Sequence, residues 1–293
     1  MTLKIRFANI GKAGRLGNAM FQYAALKALC LEKNEICYLP WDIDEREHDG
    51  QKCLLNYFKH SAILSTQKEE ETFSGISYRF QEEGDSYLNL SLPVNLEGHP
   101  ESELFFKKYK SEIKKEFEFI NHIENISIQY IEDLRKKQFK PVEIVGIHIR
   151  RGDVNNYDAW DNWYRLYIKN VITNLFSQDR YIFLCFTGGS TTPENSNTEE
   201  ITWCKENIQV NAPLYFCDVN DTIKDLAIMT KCDHMILCSR STFAWWGAYL
   251  NKNEGKRVIV PKALPYFPTE TSRYFPPVEF NSSVFWSNDF IQV

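Results

Sequence analysis

Two adjacent arginines and a nearby acid, Arg150-Arg151-Gly152-Asp153, stand directly after the apolar run Val142 to Ile149. Each guanidinium stays charged at any working pH and is costly to bury unpaired. An anion close to at least one of them would satisfy that demand. In a parallel α/β sheet the crevice outside the carboxyl ends of the strands is the usual ligand site. A diphosphate suits such a crevice, because bidentate arginine–phosphate bonds are charge-assisted. The plainer alternative is an Arg–Asp ion pair closing a surface loop, and this segment alone leaves both readings open.

Two further segments carry chemistry of the same kind. Gly11-Lys12-Ala13-Gly14-Arg15-Leu16-Gly17-Asn18-Ala19-Met20-Phe21-Gln22-Tyr23 sets glycines ahead of a helix, where backbone N–H groups can approach an anion or a hydroxyl. Its spacing matches neither the P-loop nor the dinucleotide fingerprint; the alternative is a tight turn with an N-cap at Asn18. Cys238-Ser239-Arg240-Ser241-Thr242-Phe243-Ala244-Trp245-Trp246 follows the expected strand His234–Cys238 and opens a helix. Ser239, Ser241 and Thr242 read as ligand-facing, since hydroxyls and free N–H groups at a helix start hold phosphate; Trp245 and Trp246 read as core. No metal is expected. The only D-x-D, Asp42-Ile43-Asp44, lies in the wrong half, and the six histidines show no ligand spacing.

The elements that must position these residues alternate between strand and helix, which favours parallel α/β architecture. Leu3–Asn9 reads as a strand, Gly11–Gly17 as a turn, Asn18–Glu32 as a helix and Ile36–Leu39 as a second strand. The stretch from Asp42 to Leu96 is polar and irregular. Glu101–Phe119 and Ile120–Lys137 read as lysine-rich helices, and Pro141 marks a domain boundary near residue 140. Beyond it come strands Val142–Ile149, Tyr181–Phe186, Leu214–Phe216, His234–Cys238 and Arg257–Val260. The intervening helices are Asp161–Phe176, Thr198–Asn207, Asp221–Thr230 and Thr242–Asn251. Gly188 to Thr198 reads as a mobile loop, and Pro261 to Pro277 as irregular chain over the fold.

Composition narrows the class. A chain of 293 residues with 20 Phe, 15 Tyr and 7 Trp has ample core. A net charge of -5 and a pI near 5.8 give no electrostatic footprint for nucleic acid. The N-terminus lacks a signal-peptide pattern and no window reads as a membrane span, so a cytoplasmic location is expected. The eight cysteines, without a C-x-x-C pair, read as free and mostly buried thiols, in keeping with a reducing compartment.

Three motifs occur in order: Gly14-Arg15-Leu16-Gly17-Asn18 with Phe21-Gln22-Tyr23, then His148-x-Arg150-Arg151-Gly152-Asp153, then Ser239 to Gly247. Together they closely resemble the alpha-1,2-fucosyltransferases of glycosyltransferase family eleven, over nearly the whole chain. The resemblance implies an α/β, GT-B-like pair of Rossmann-like domains, 1–140 and 141–293, with a cleft between them. The second domain would bind GDP-fucose and the first would form the acceptor side, with inversion at the anomeric carbon and no metal. Arg150 would grip the diphosphate and, with Asp153, form the catalytic pair, Asp153 as the general base. His148, Arg151, Ser239, Ser241, Thr242 and Phe243 would complete the donor site, while Gly14, Arg15, Gly17 and Asn18 approach the donor from the facing domain. The chain departs from the family at Val154, at Leu96 to Ser102 and in the insertion Gly188–Asn197. Those departures bear on the acceptor, for which His99, Glu101 and Asp158 are the candidate residues.

The expected activity is transfer of L-fucose from GDP-fucose to the 2-OH of a terminal β-galactoside in an oligosaccharide or lipid-linked glycan. Two alternatives stay open: a fucosyltransferase with another acceptor or linkage, and a non-catalytic GDP-sugar or glycan binder. The basic runs Lys107 to Lys115 and Arg135 to Lys140 could attract a membrane surface, or serve simply as solvated helix faces. The sequence does not fix the oligomeric state.

Overall fold

A computed structural model describes residues 3–80, 87–151, 158–188, 198–219, 221–264 and 281–293. The chain divides into two compact units, Met1–Glu124 and Asn125–Val293. The division falls inside the helix Asn121–Lys136 rather than near Pro141, the expected boundary. A proline marks where a helix must already have ended, but not the unit to which that helix belongs.

In the first unit the strands Ile5–Arg6, Val94–Glu97 and Ile76–Arg79 form a parallel sheet in that order. Beside it Tyr38–Leu39 pairs with Ile63–Leu64, and Glu47–His48 forms an antiparallel hairpin with Gln51–Lys52. The helix Leu16–Lys33 is apolar on nearly every face, and Met20, Phe21, Tyr23, Leu26 and Leu29 are buried; a helix of that kind belongs in a core. It ends at Asn34, a left-handed residue whose N–H returns to the carbonyls of Cys30 and Leu31. The span expected as one helix from Glu101 to Phe119 is instead two short 3-10 turns, Glu103–Phe105 and Lys107–Tyr109, followed by the helix Lys110–Glu116.

In the second unit, six strands among the described residues make one wholly parallel sheet. Its spatial order is Leu214–Phe216, Tyr181–Gly188, Glu143–Arg150, His234–Leu237, Val258–Val260, Ile291–Gln292. Numbered along the chain, that order is 3-2-1-4-5-6, the doubly wound Rossmann arrangement. The first strand is buried from Ile144 to Ile149, and its Val145, Ile147 and Ile149 share one core cluster with Tyr164 and Ile168 of the helix Asp158–Leu175 and with Phe176 just after it. Trp245 and Trp246 are wholly buried in the helix Thr242–Tyr249, and the indole N–H of Trp245 donates to the carbonyl of Phe285 at 2.9 Å. All eight cysteines are free and buried. Among the described residues no helix is long and apolar enough to cross a membrane. Residues 189–197 and most of the proline-rich stretch, 265–280, lie outside the described residues.

Candidate active site

In a doubly wound sheet the chain leaves the first and fourth strands in opposite directions, which opens a crevice at their carboxyl ends. Here those strands are Glu143–Arg150 and His234–Leu237, neighbours in register from His234 opposite Val145 to Leu237 opposite His148. The two motifs of the second half therefore meet at one place. Nη1 of Arg150 donates to the main-chain carbonyl of Arg240 at 3.2 Å, and the amide of Cys238 donates to the carbonyl of His148 at 3.2 Å. His148 is buried, with its ring 6.1 Å from that of Phe243.

The turn after the fourth strand is folded by its own hydroxyls. Ser241 is buried and N-caps the helix Thr242–Tyr249, its side chain accepting from the Ala244 amide at 3.3 Å. Thr242 opens the first turn, and the contact of Arg150 with Arg240 brings its guanidinium close to the positive end of that helix. Ser239 is buried beside the Tyr164 hydroxyl, which donates to the Arg150 carbonyl at 2.7 Å. Burial raises the Tyr164 phenol well above its usual range, so it stays a neutral donor.

The two arginines have different surroundings. Arg151 is ion-paired with Asp161 and lies over the Trp203 ring, 3.8 Å from its centroid. These contacts tie the strand end to the helices Asp158–Leu175 and Thr198–Asn207. Arg151 therefore holds the frame, whereas Arg150 lies against the turn that carries the helix start. Arg151, expected in the donor site, thus meets Asp161 and Trp203. Asp153 lies outside the described residues, and Asp158 opens its helix with a side chain outside them as well.

The first unit gathers the remaining candidates around the glycine turn. Arg15, with no side-chain cap, is the N-cap of a helix that begins at Leu16. The helix thus starts earlier than the Asn18 expected from its polar side chain, and Gly17 and Asn18 lie in its first turn. Gly14 has φ +91°, and a Cβ there would come within 2.5 Å of Asn18 Nδ2. Asn18 Nδ2 donates to Glu101 Oε1 at 3.1 Å and lies 3.4 Å from His99 Nδ1. Asn18 therefore joins the glycine turn to the segment after Val94–Glu97. Arg15 Nη2 is 3.7 Å from Asp49 of the hairpin, a contact that sequence reasoning missed although Asp49-Gly50 is a hairpin-turn dipeptide. Asp42 of the D-x-D is held by Arg46 at 2.6 Å and Lys12 at 3.1 Å. Burial would raise its carboxyl, but those two hydrogen bonds outweigh it and hold the group below the usual range. Among the described residues no cluster of three His, Cys, Asp or Glu side chains is arranged to hold a metal.

Parallel α/β units with an arginine at a Rossmann switch point define a GT-B-like fold, which solved structures share. Fucosyltransferase NodZ from Bradyrhizobium aligns with a TM-score of 0.53 at 8% identity, covering 84% of this chain and 93% of that one. The NodZ alpha-1,6-fucosyltransferase co-crystallised with GDP aligns at 0.51 and 9% identity, covering 84% and 92%. Likeness at that level speaks to the fold. The sequence model of Glycosyl transferase family 11 matches residues 1–274, and the chain belongs to that family. Among its relatives, galactoside alpha-(1,2)-fucosyltransferase 2 of Oryctolagus cuniculus is 27% identical over 251 residues, 82% of this chain and 66% of the relative. The Sus scrofa counterpart is 26% identical over 254 residues, 84% of this chain and 70% of the relative. The chain thus spans about two thirds of the length of these relatives.

Proposed function

We propose that the protein is an inverting galactoside alpha-1,2-fucosyltransferase that moves L-fucose from GDP-fucose to the 2-OH of a terminal β-galactoside without a metal. The observation that carries the reading is Arg150 beside the start of the helix Thr242–Tyr249, at the switch point of a doubly wound sheet. Fucosyl transfer builds negative charge on the departing β-phosphate and positive charge on the sugar ring. Arg150 and the amides at Thr242 are fixed donors for that charge, and one such donor is typically worth about 3 kcal/mol of barrier. They do the work that a metal does in other transferases, so the reaction needs none. His148 and Phe243 line the same edge and suit the sugar. His99, Glu101 and Asn18 form a hydrogen-bonding group of the kind a galactoside's hydroxyls require.

The names and family of the relatives support the donor and the linkage. Calorimetric titration of GDP into the wild type and Arg150→Ala tests the reading. The variant should lose both GDP binding and transfer; undiminished GDP affinity would refute it.

A further inference from the structure

Two amide side chains stand four residues apart on one face of the helix Leu16–Lys33, Asn18 in its first turn and Gln22 one turn deeper. Both reach the segment that follows the strand Val94–Glu97. Asn18 Nδ2 donates to Glu101 Oε1 at 3.1 Å, and Gln22 Nε2 donates to the carbonyl of Ala13 at 2.9 Å and to that of Gly98 at 3.4 Å. One nitrogen thus holds the glycine turn and the turn at Gly98 together. Each of those carbonyls adjoins left-handed backbone, since Gly14 has φ +91° and Gly98 φ +101°. Glycine permits that conformation without enforcing it, so the Gln22 amide supplies a restraint that the residue type does not.

The orientation of that amide is settled by chemistry. Two carbonyls can only accept, so the atom between them is the nitrogen. Oε1 is then left in the interior: Gln22 is wholly buried, and this oxygen has no hydrogen-bond partner among the described residues. A buried acceptor left unpaired has given up its hydration for nothing. A methionine of similar length would fill the same space without an orphan oxygen. The carbonyls it freed belong to half-buried residues, Ala13 and Gly98, within reach of water. For stability alone methionine would serve as well; what it cannot make is the bridge. Beyond Gly98 the chain is tightly turned, the Glu101 amide donating to the His99 carbonyl at 2.8 Å and the Ser102 amide to that of Pro100 at 2.9 Å. A shift at Gly98 therefore carries His99 and Glu101 with it.

We propose that Gln22 is a positioning residue for galactoside recognition: it fixes Gly98, and through it His99 and Glu101, against Asn18, so that these three side chains keep the spacing that neighbouring sugar hydroxyls require. This rests on the fucosyl-transfer reading above, with the acceptor held by the first unit, in which all of these residues lie. Gln22 is wholly buried and acts through the segment it holds. A polar site selects among hydroxyls only while its donors and acceptors keep their places, and a displacement of about 1 Å forfeits much of the gain.

The test compares the full chain as wild type, Gln22→Met and Gln22→Glu, by melting curve and by kcat and KM for GDP-fucose and for whichever of lactose, Galβ1-3GlcNAc and Galβ1-3GalNAc the wild type turns over. Gln22→Met should move the melting midpoint by a few degrees at most. It should raise KM for the galactoside about tenfold, the worth of one well-placed hydrogen bond to the sugar, and leave KM for GDP-fucose near wild type. Gln22→Glu separates a donor from a space-filler: its carboxylate donates nothing to the two carbonyls, whereas the neutral acid donates one hydrogen bond. Its galactoside KM should therefore recover towards wild type as pH falls, while that of Gln22→Met follows the wild-type pH dependence. A Gln22→Met enzyme with wild-type galactoside KM would overturn the proposal, as would a variant that melts much earlier and loses affinity for both substrates alike, the mark of a plain core residue. Failure of the transfer reading shows instead in the wild type, which would bind GDP and turn over no galactoside, and would overturn both.

Discussion

Arg150 and Arg240 meet across the switch point of the second unit's sheet, the guanidinium of one donating to the main-chain carbonyl of the other at 3.2 Å. One edge of the planar fork is anchored on protein while the group sits beside the helix start. Arg150→Lys keeps the charge and loses the fork. GDP affinity should fall roughly tenfold, the ~1.4 kcal/mol of one charge-assisted hydrogen bond, with little change in thermal stability; calorimetry beside a melting curve checks both.

Trp203→Ala addresses the division of labour between the arginines. It removes the face over which Arg151 lies and leaves Asp161 as its remaining named partner. Stability should drop by about 1–2 kcal/mol, the worth of a partly desolvated cation–π contact together with lost packing. GDP affinity should fall less than in Arg150→Lys. Urea denaturation and GDP titration of the two variants separate frame from ligand contact.

Gly14→Ala should act on the first unit. At φ +91° the alanine is strained, and its methyl would displace the Asn18 amide from Glu101. A cost of about 1 kcal/mol or more in stability is expected. Acceptor KM should rise while GDP affinity holds, which steady-state kinetics against each substrate would show.

Asp225 gives stability a pH dependence. Burial pushes its carboxyl up to about 7; a hydrogen bond from the Cys217 thiol at 3.2 Å opposes this, and nearby Asp221 and Asp218 add to it. An unfolded aspartate titrates near ~3.9. Between those values the folded state keeps a proton that the unfolded chain has released. This contribution to stability is therefore lost as pH rises towards about 7, at no more than ~1.4 kcal/mol per pH unit, and levels off above that. Asp225→Asn should flatten the dependence, measured as the shift in urea midpoint between acidic and neutral buffer.

What the sequence reveals tracks how local the signal is. The helix Thr198–Asn207 and the strand Leu214–Phe216 coincide with their expected bounds, because composition changes sharply at their ends. Ile76–Arg79 and Val94–Glu97 are hidden in a stretch read as irregular. Each is four residues long, and Asn95 is a buried amide serving Arg6, the Ala8 amide, Ser77 and Glu97. A polar residue inside a paired strand breaks the alternation on which sequence reading depends. The motif around Arg150 shows its chemistry in its residue types, whereas its partners Arg240, Tyr164 and Asp161 are set by tertiary packing. Several residues of the basic runs, for which a membrane-attracting surface and solvated helix faces both stood open, are paired with acids: Lys108 with Glu32, Lys110 with Glu103, Arg135 with Asp233 and Lys140 with Asp179.

The most direct test is acceptor-dependent release of GDP from GDP-fucose, with EDTA present, across lactose, Galβ1-3GlcNAc and Galβ1-3GalNAc, followed by linkage analysis of the product. The account predicts turnover on at least one galactoside, undiminished by EDTA, and a new fucose on the 2-OH of galactose. No turnover on any galactoside while GDP still binds, or turnover abolished by EDTA, would contradict it.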